Sequence, residues 1–141
     1  MPAQRGLSQS DLQTIGRMFA GAQEDVELAV FRRPSLTQAG SEILSALAQI
    51  QTVAPRLRIS QRDYGDGETA VERAPAMALF AADGTDLRVR FAGWPTGYEF
   101  STLVATLADA MRGDSALQPA TLEALDALQQ DVHIKVFTTP T

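Results

Sequence analysis

Residues that could carry out catalysis are scarce in this chain. Among its 141 residues there is no cysteine, and His133 is the only histidine. The lack of cysteine excludes a thiolate nucleophile, a disulfide and a thiolate metal site. His133 lies in an alternating apolar segment with no visible nucleophile beside it, so we interpret it as an ordinary strand residue. No Gly-x-Ser-x-Gly, P-loop or Gly-x-Gly-x-x-Gly motif is present. A hydrolase or other enzyme class is therefore disfavoured, and we expect no metal and no cofactor in these residues.

The composition indicates a folded domain. Apolar residues make up 45% of the chain, and the net charge is −5, which together favour a buried core over disorder. No apolar run approaches the roughly 20 residues that a membrane helix needs, and the N-terminus lacks the apolar part of a signal peptide. We therefore expect a cytoplasmic location without membrane contact. The negative charge disfavours a nucleic-acid partner, because such binding depends on neutralising phosphates.

Arginine alternates with apolar residues in two segments. Arg56, Arg58 and Arg62 lie in the first segment, and Arg88 and Arg90 lie in the second. A solvated strand face explains this spacing fully. A patch that binds an acidic partner is the alternative.

Hydrophobic periodicity divides the chain into alternating helices and strands. Helices are predicted over residues 8–22, 37–51, 96–113 and 119–130, and strands over 26–31, 56–63, 76–81 and 87–91. The β-α-β start requires a parallel pair with a right-handed crossover, and the hairpin that follows adds an antiparallel pair. We predict an α/β fold with a mixed four-stranded sheet and helices on both faces. This order resembles that of the thioredoxin fold.

Local motifs set the ends of several elements. Capping boxes are predicted at Ser10 with Gln13 and at Ser35 with Gln38. The pair Asp83-Gly84 predicts a tight hairpin turn in which both residues have positive φ.

Three further motifs concern the last two helices. Gly113 is a helix stop, and Pro119 suits a first helical position. The helix after Pro119 is predicted to turn three leucines inward, namely Leu122, Leu125 and Leu128.

The C-terminal segment does not fit a complete four-stranded sheet. Residues 132–137 alternate as a strand does, but they follow a linking helix at the end of the chain. We predict that residues 1–113 form one fold. Residues 114–141 are then the linking helix and the first strand of a second fold that is missing.

The most specific motif is Arg90-Phe-Ala-Gly-Trp-Pro-Thr-Gly-Tyr-Glu-Phe100. It resembles the Gly-x-Pro-x-Gly-[His/Tyr]-Glu-Phe segment of two groups. One is the protein disulfide oxidoreductases with two tandem thioredoxin-like folds. The other is the N-terminal domain of the alkyl hydroperoxide reductase flavoprotein subunit. The resemblance covers nearly the whole element order and is strongest over residues 74–107 and at the tail.

The tail carries the same resemblance. Lys135-Val-Phe-Thr-Thr-Pro-Thr141 is similar to the strand and turn that lead into the Cys-Pro-x-Cys of the family's second, catalytic fold. The resemblance implies that this chain is the non-catalytic scaffold half of a dithiol–disulfide oxidoreductase, with the dithiol following Thr141. The second fold of the same chain is then its partner. Association of copies through the C-terminal strand is a further expectation.

The resemblance also implies site residues. Glu99 would face the dithiol of the second fold, where a carboxylate can hold a proton or raise a thiol pKa. The alternative is a helix cap, because Thr96-x-x-Glu99 is also a capping box. Pro75 resembles the cis-proline of the thioredoxin fold. In place of a Cys-x-x-Cys after the first strand the chain has Arg33-Pro-Ser-Leu36, in which Ser35 is better explained as a cap than as a relic of a thiol.

Three aromatic residues could form the contact with the second fold. Trp94 and Tyr98 flank the start of the third helix, and Phe137 lies in the tail. Core packing is the alternative for the first two, and we favour the contact between folds. A different function remains open: a stand-alone module in which a groove around Pro75, Arg33 and Glu99 binds an extended peptide without redox chemistry.

Overall fold

The computed structural model describes residues 6–65 and 67–139. Residues 1–5, Asp66 and the end of the tail motif, Pro140-Thr141, lie outside this range. The elements in chain order are α1 (Gln9–Phe19), β1 (Val26–Arg32), α2 (Gln38–Gln51), β2 (Leu57–Asp63), β3 (Ala76–Ala81), β4 (Asp86–Ala92), α3 (Tyr98–Arg112) and α4 (Pro119–Asp126). None of the helices in the described part of the chain has the length and hydropathy that crossing a membrane requires.

The strands form one mixed sheet in the order β2-β1-β3-β4. β1 pairs in parallel with β2, with Val26 opposite Leu57, because α2 carries the chain across between them. β3 is antiparallel to both β1 and β4. The predicted α/β class and the four-stranded mixed sheet are confirmed.

The three helices α1, α2 and α3 pack on the same face of this sheet. Val26, Leu28 and Val30 of β1 point to that face, since side chains alternate along a strand. They share one core cluster with helix residues Ile15, Phe19, Ile43, Leu47, Ile50, Leu103, Val104, Leu107 and Met111. The expectation of helices on both faces is therefore wrong, because the chain between β2 and β3 forms a loop rather than a helix.

The second face of the sheet has its own small apolar cluster. Its buried members are Ala29, Phe31, Val71, Ala76 and Ala78. Residues 64, 65 and 67–75, which we call the strap, supply Val71 to this cluster and cover part of it. Small alanines at the centre let the strap lie close to the sheet.

Arginine side chains complete the cover of the second face. The Arg62 guanidinium lies 5.5 Å from the ring centroids of both Phe31 and Phe80, and that of Arg90 lies 5.7 Å from Phe80. A cation in this position is attracted by the electron-rich face of the aromatic ring. Arg62 and Arg90 thus form part of the cover, and Arg62, whose side chain is 45% exposed, also faces solvent as its spacing predicts.

Two side chains hold the strap by bonds to its backbone carbonyls. The Tyr64 hydroxyl donates to the carbonyl of Glu72 at 2.8 Å. Arg90 Nε donates to the carbonyl of Ala70 at 2.7 Å, and a bidentate ion pair with Asp86 fixes its guanidinium. These bonds satisfy carbonyls that a helix would otherwise pair internally.

The helix caps differ from the predicted ones. At α1 the capping box consists of Ser8 and Asp11 instead of Ser10 and Gln13. The two serines are two residues apart, and pattern alone places a helix end only to within that distance.

At α2 the cap residue is Thr37, whose hydroxyl accepts from the Gly40 N–H at 3.1 Å. The predicted box of Ser35 and Gln38 is therefore wrong, since the helix starts later than Ser35 allows.

The hairpin between β3 and β4 is confirmed, but its turn is different. Only Gly84 has positive φ, at 87°, and Asp83 does not. The Gly84 N–H donates to the Ala81 carbonyl at 2.9 Å, and the Ala81 N–H donates to the Thr85 carbonyl at 2.9 Å. This is a three-residue loop with glycine in the left-handed position, which needs one positive φ rather than two.

The C-terminal region is less packed than its pattern predicts. α3 ends at Gly113 with φ 76°, and Pro119 occupies the first turn of α4, both as predicted. However, α4 buries no residue, and Leu122, Leu125 and Leu128 are 38%, 49% and 53% exposed. The inward orientation predicted for these leucines is wrong, because no described element packs against them.

The tail does not form the predicted strand. Residues 132–137 have no regular structure, and Phe137 is 90% exposed. A strand exists only through bonds to a neighbouring strand, and none is present in the described part of the chain. The division at residues 113 and 114 remains a prediction.

Candidate functional site

The candidate site lies where β3 begins and α3 begins. The Ala74–Pro75 peptide bond is cis, which is the geometry that the resemblance implies, and Pro75 is half-buried. The Gly93 N–H donates to the Pro75 carbonyl at 2.8 Å. The segment that leads from Gly93 to α3 therefore begins next to Pro75 in space.

The position of a dithiol motif is occupied by an exposed turn. Residues 33–36 have no helical structure, and Ser35 is exposed and caps no helix. Arg33 Nε instead donates to the Ala74 carbonyl at 3.3 Å, and its guanidinium lies 6.0 Å from the Tyr64 ring centroid. An arginine thus fills the space beside the cis-proline.

Trp94 packs inward. Its half-buried indole lies against Gly40 of α2, where an added β-carbon would stand 2.8 Å from two ring carbons. The neighbouring Pro95 is fully buried. This packing agrees with the core interpretation of Trp94, and its contact with a second fold remains a prediction.

Glu99 is not a helix cap. The N-cap position of α3 is Gly97, with φ 59° and ψ −129°, and it makes no side-chain cap bond. The predicted box of Thr96 and Glu99 is absent, and the Glu99 N–H donates only to the Thr96 carbonyl, at 3.2 Å. This backbone conformation suits glycine, and it moves the start of α3 past Thr96.

The carboxylate of Glu99 accepts a hydrogen bond from the tail. Its partner is the hydroxyl of Thr138, 39 residues further along the chain. This bond brings the end of the tail to the first turn of α3. Sequence reasoning missed Thr138, since no pattern links it to Glu99.

Exposed aromatic side chains flank this bond. Tyr98 is 82% exposed and Phe137 is 90% exposed. Each is adjacent in sequence to one partner of the Glu99–Thr138 bond. Exposed apolar side chains mark an interaction site when they form a contiguous patch, and the contact of Tyr98 and Phe137 with a second fold remains a prediction.

Pro75, Arg33 and Glu99 do not share one hydrogen-bond network in the described part of the chain. Among the hydrogen bonds of the described residues, none joins Glu99 to Pro75 or to Arg33. Arg33 is bonded beside Pro75, whereas Glu99 is bonded to the tail.

Neither a cavity nor a cluster of metal-binding side chains marks the candidate site in the described residues. A shallow depression of about 280 Å³ lies where β1 and β2 begin, between Asp25, Arg56 and Ala82. Within the residues that the structure covers, no three histidine or acidic side chains converge as a metal site would require.

Two acidic side chains outside the site are electrostatically fixed. The pKa of Glu27 is held below its ordinary value, chiefly by the Ser60 hydroxyl, which donates at 2.5 Å, and then by Arg62 at 3.0 Å. The pKa of Asp86 is likewise lowered, first by Arg90 and then by the N–H of Arg88. Both carboxylates stabilise the arginine layer over the second face.

Comparisons with known proteins give similar folds at low identity. No model of a protein family and no curated protein sequence matches the chain. A variant of the alkylhydroperoxide reductase AhpF from Enterococcus faecalis is 22% identical with a TM-score of 0.75, over 88% of this chain and 62% of that one. The NTD N/C domain of the same reductase is 22% identical with a TM-score of 0.74, again over 88% and 62%.

A third similar structure is a protein disulfide oxidoreductase from Aeropyrum pernix. It is 24% identical with a TM-score of 0.68, over 86% of this chain and 55% of that one. The chain thus spans less than two thirds of the length of each of these three structures. With its mixed four-stranded sheet, the chain has a thioredoxin-like fold, and this fold is what it shares with these proteins.

Proposed function

We propose that this chain is the non-catalytic scaffold half of a dithiol–disulfide oxidoreductase with two thioredoxin-like folds. In this proposal Glu99 faces the dithiol of the second fold. The bond from Thr138 to Glu99 is the observation that carries it, because it brings the chain leading to residue 139 to the Glu99 carboxylate. The exposed Tyr98 and Phe137 would then be covered by the second fold.

The chemistry belongs to the second fold. One thiolate attacks a substrate disulfide and forms a mixed disulfide, with release of a substrate thiolate. The second thiolate then attacks the enzyme sulfur of the mixed disulfide and releases the second substrate thiolate, so that the dithiol is oxidised to a disulfide and the substrate is reduced to two thiols. A carboxylate close to the dithiol disfavours the thiolate form and can accept the thiol proton. Glu99 would therefore raise a thiol pKa and hold a proton between the two steps.

The experiment uses the full-length protein that the native gene encodes. We expect that this gene encodes a Cys-x-x-Cys motif directly after Thr141. In that protein, Glu99→Gln should lower the pKa of the more exposed thiol by about one unit, so that alkylation below that pKa accelerates about threefold, since the tenfold gain in thiolate is partly offset by its weaker nucleophilicity.

The matched control is Glu72→Gln, which removes an exposed carboxylate from the strap. It should leave the alkylation rate unchanged. A reading frame that stops at Thr141 without a second fold would contradict the proposal, as would an unchanged thiol pKa in Glu99→Gln.

The alternative of a peptide-binding module finds less support in the contacts. Its groove would use the backbone beside Pro75, but Arg33 already occupies the Ala74 carbonyl. A peptide that pairs with this carbonyl would have to compete with that bond.

A further inference from the structure

The tail contacts the folded domain through side chains at two points. Near its start, Asp131 Oδ1 lies 3.8 Å from Arg88 Nη1 of β4. Near its end, the Thr138 hydroxyl donates to Glu99 of α3. Between these points residues 132–137 are exposed. These two polar contacts bracket the exposed segment.

The backbone at Arg88 is specialised. Arg88 has φ 59°, and it is the one non-glycine residue with positive φ within residues 6–65 and 67–139. Residues with a β-carbon rarely adopt this conformation. It coincides with a shift of register between β3 and β4, from Ala78 to Phe80. A local feature must therefore hold Arg88 in place.

Asp86 supplies that support. Its Oδ1 accepts from the Arg88 N–H at 2.7 Å and from Arg90 Nη1 at 2.9 Å. Arg90 is itself bonded to the strap carbonyl of Ala70. The backbone of Arg88 is thus anchored to both the sheet and the strap, while its side chain is directed to Asp131.

We propose that Arg88 is a positioning residue which, together with Glu99, tethers the tail at two points and sets the direction in which the chain continues. This inference rests on the proposed function, in which residues 132–137 are the first strand of the catalytic fold and the dithiol follows Thr141. From Asp131 to Thr138 an extended chain spans at most about 23 Å. With both ends held, the segment between them loses most of its freedom to move away from Glu99.

The Arg88–Asp131 ion pair and the Thr138–Glu99 hydrogen bond are each weak, but together they can hold the tail against the domain. An exposed ion pair alone contributes little, and the side chains of Arg88 and Asp131 are 79% and 96% exposed. Once Thr138 is bound to Glu99, however, Asp131 stays close to Arg88, so that its effective concentration is high. The same exposure makes the tether sensitive to salt.

The cysteine-free chain allows a direct test of this tether. Ser101→Cys on α3 and Lys135→Cys in the tail, both at exposed positions, would carry nitroxide labels for a pulsed electron spin resonance distance measurement. We expect a narrow distance distribution in low salt. It should broaden at least twofold on Arg88→Ala and at about 1 M salt, where screening acts within about 3 Å.

Exchanging the charges of Arg88 and Asp131 tests whether the ion pair itself, rather than the presence of an arginine at residue 88, holds the tail. The double variant Arg88→Asp with Asp131→Arg should restore the narrow distribution, and Arg17→Ala on α1 should leave it unchanged. A broad distribution in the parent chain, no broadening with Arg88→Ala, or no recovery in the exchange would overturn the proposal. These outcomes are independent of the thiol measurements, because the labelled chain contains no dithiol.

Discussion

The indole of Trp94 lies directly over Gly40, with room for a hydrogen but not for a methyl group. An added β-carbon at Gly40 would stand 2.8 Å from ring carbons of Trp94 and 3.0 Å from its Nε1. The ring belongs to the segment that connects Pro75 to α3, so this contact joins α2 to the candidate site. A planar aromatic ring cannot bend away from such a clash as the end of a flexible side chain can.

We expect Gly40→Ala to destabilise the domain by about 1–3 kcal/mol, the usual cost of overpacking a core. The clash should outweigh the gain of up to about 1 kcal/mol in helix propensity. Urea denaturation followed by circular dichroism measures the difference.

Gly16→Ala on α1 is the matched control for Gly40→Ala. Its added β-carbon would lie 3.5 Å from Val53, an ordinary contact, so helix propensity should make this variant equally or more stable. Equal effects of the two substitutions would contradict the close packing of Trp94 on Gly40.

The stability of the domain should fall in acid through Glu27. Its side chain is only 16% exposed, and its pKa is lowered by Ser60 and then Arg62. A carboxylate with a lowered folded pKa stabilises the fold fully above its unfolded pKa of about 4.3, and this contribution is lost as the pH falls through the folded value.

Glu27→Gln tests this dependence. We expect a loss of about 1–2 kcal/mol at pH 7, as for the loss of charge-assisted hydrogen bonds, and a smaller decline of stability below about pH 5 than in the parent chain. Glu123→Gln on the exposed α4 is the control and should follow the parent curve. Parallel acid limbs for Glu27→Gln and the parent would argue against a specific role of this carboxylate.

Arg90 should govern the opening of the strap. Arg90→Ala removes the bond to the Ala70 carbonyl and the cation over Phe80. We expect the strap to open more often, with trypsin cleavage after the exposed Arg73 accelerated roughly tenfold, which corresponds to about 1.4 kcal/mol.

Limited proteolysis with mass spectrometry measures this rate. Arg58→Ala on the edge strand β2 removes an equal charge without touching the strap, so cleavage after Arg73 should stay at the parent rate. If Arg58→Ala and Arg90→Ala behave alike, net charge rather than the bond to Ala70 controls the cleavage.

The tail should promote association of copies. Val132, Ile134 and Val136 are 64%, 79% and 80% exposed, and unpaired segments with alternating apolar residues tend to pair with other strands. We expect the full chain to form dimers at raised concentration and a chain cut after Asp131 to stay monomeric.

Light scattering at several concentrations tests this expectation. The shortened chain should keep its free energy of unfolding to within about 0.5 kcal/mol, because the removed residues are exposed. An unchanged oligomeric state after the cut would exclude association through the strand.

The sequence predicts those parts of the fold that follow from local pattern. Alternation at Val26, Leu28 and Val30 locates β1 and its buried face, and Gly113 and Pro119 mark ends that the backbone itself requires. These signals depend on only a few neighbouring residues.

The missed features depend on distant partners. Residues 132–137 have the pattern of a strand, but pattern does not supply the neighbour that a strand needs. The Thr96-x-x-Glu99 pattern predicts a cap, yet the glycine conformation at Gly97 shifts the helix start and leaves Glu99 to Thr138. The fold is therefore easier to predict than the candidate site, whose bonds join residues far apart in the chain.

The one-sided placement of α1, α2 and α3 makes this domain a two-layer plate. Its helical side is secured by large interlocking side chains, whereas the opposite side is sealed by Arg62, Arg90 and a short length of irregular chain. Solvent that enters from this side meets a strap held by a few side-chain bonds and by backbone bonds at its two ends, Tyr64 N–H to the Arg32 carbonyl and Gly93 N–H to the Pro75 carbonyl, before it reaches Phe31 and Ala78. The earliest loss of native order on heating should accordingly begin there, with the helices still in place.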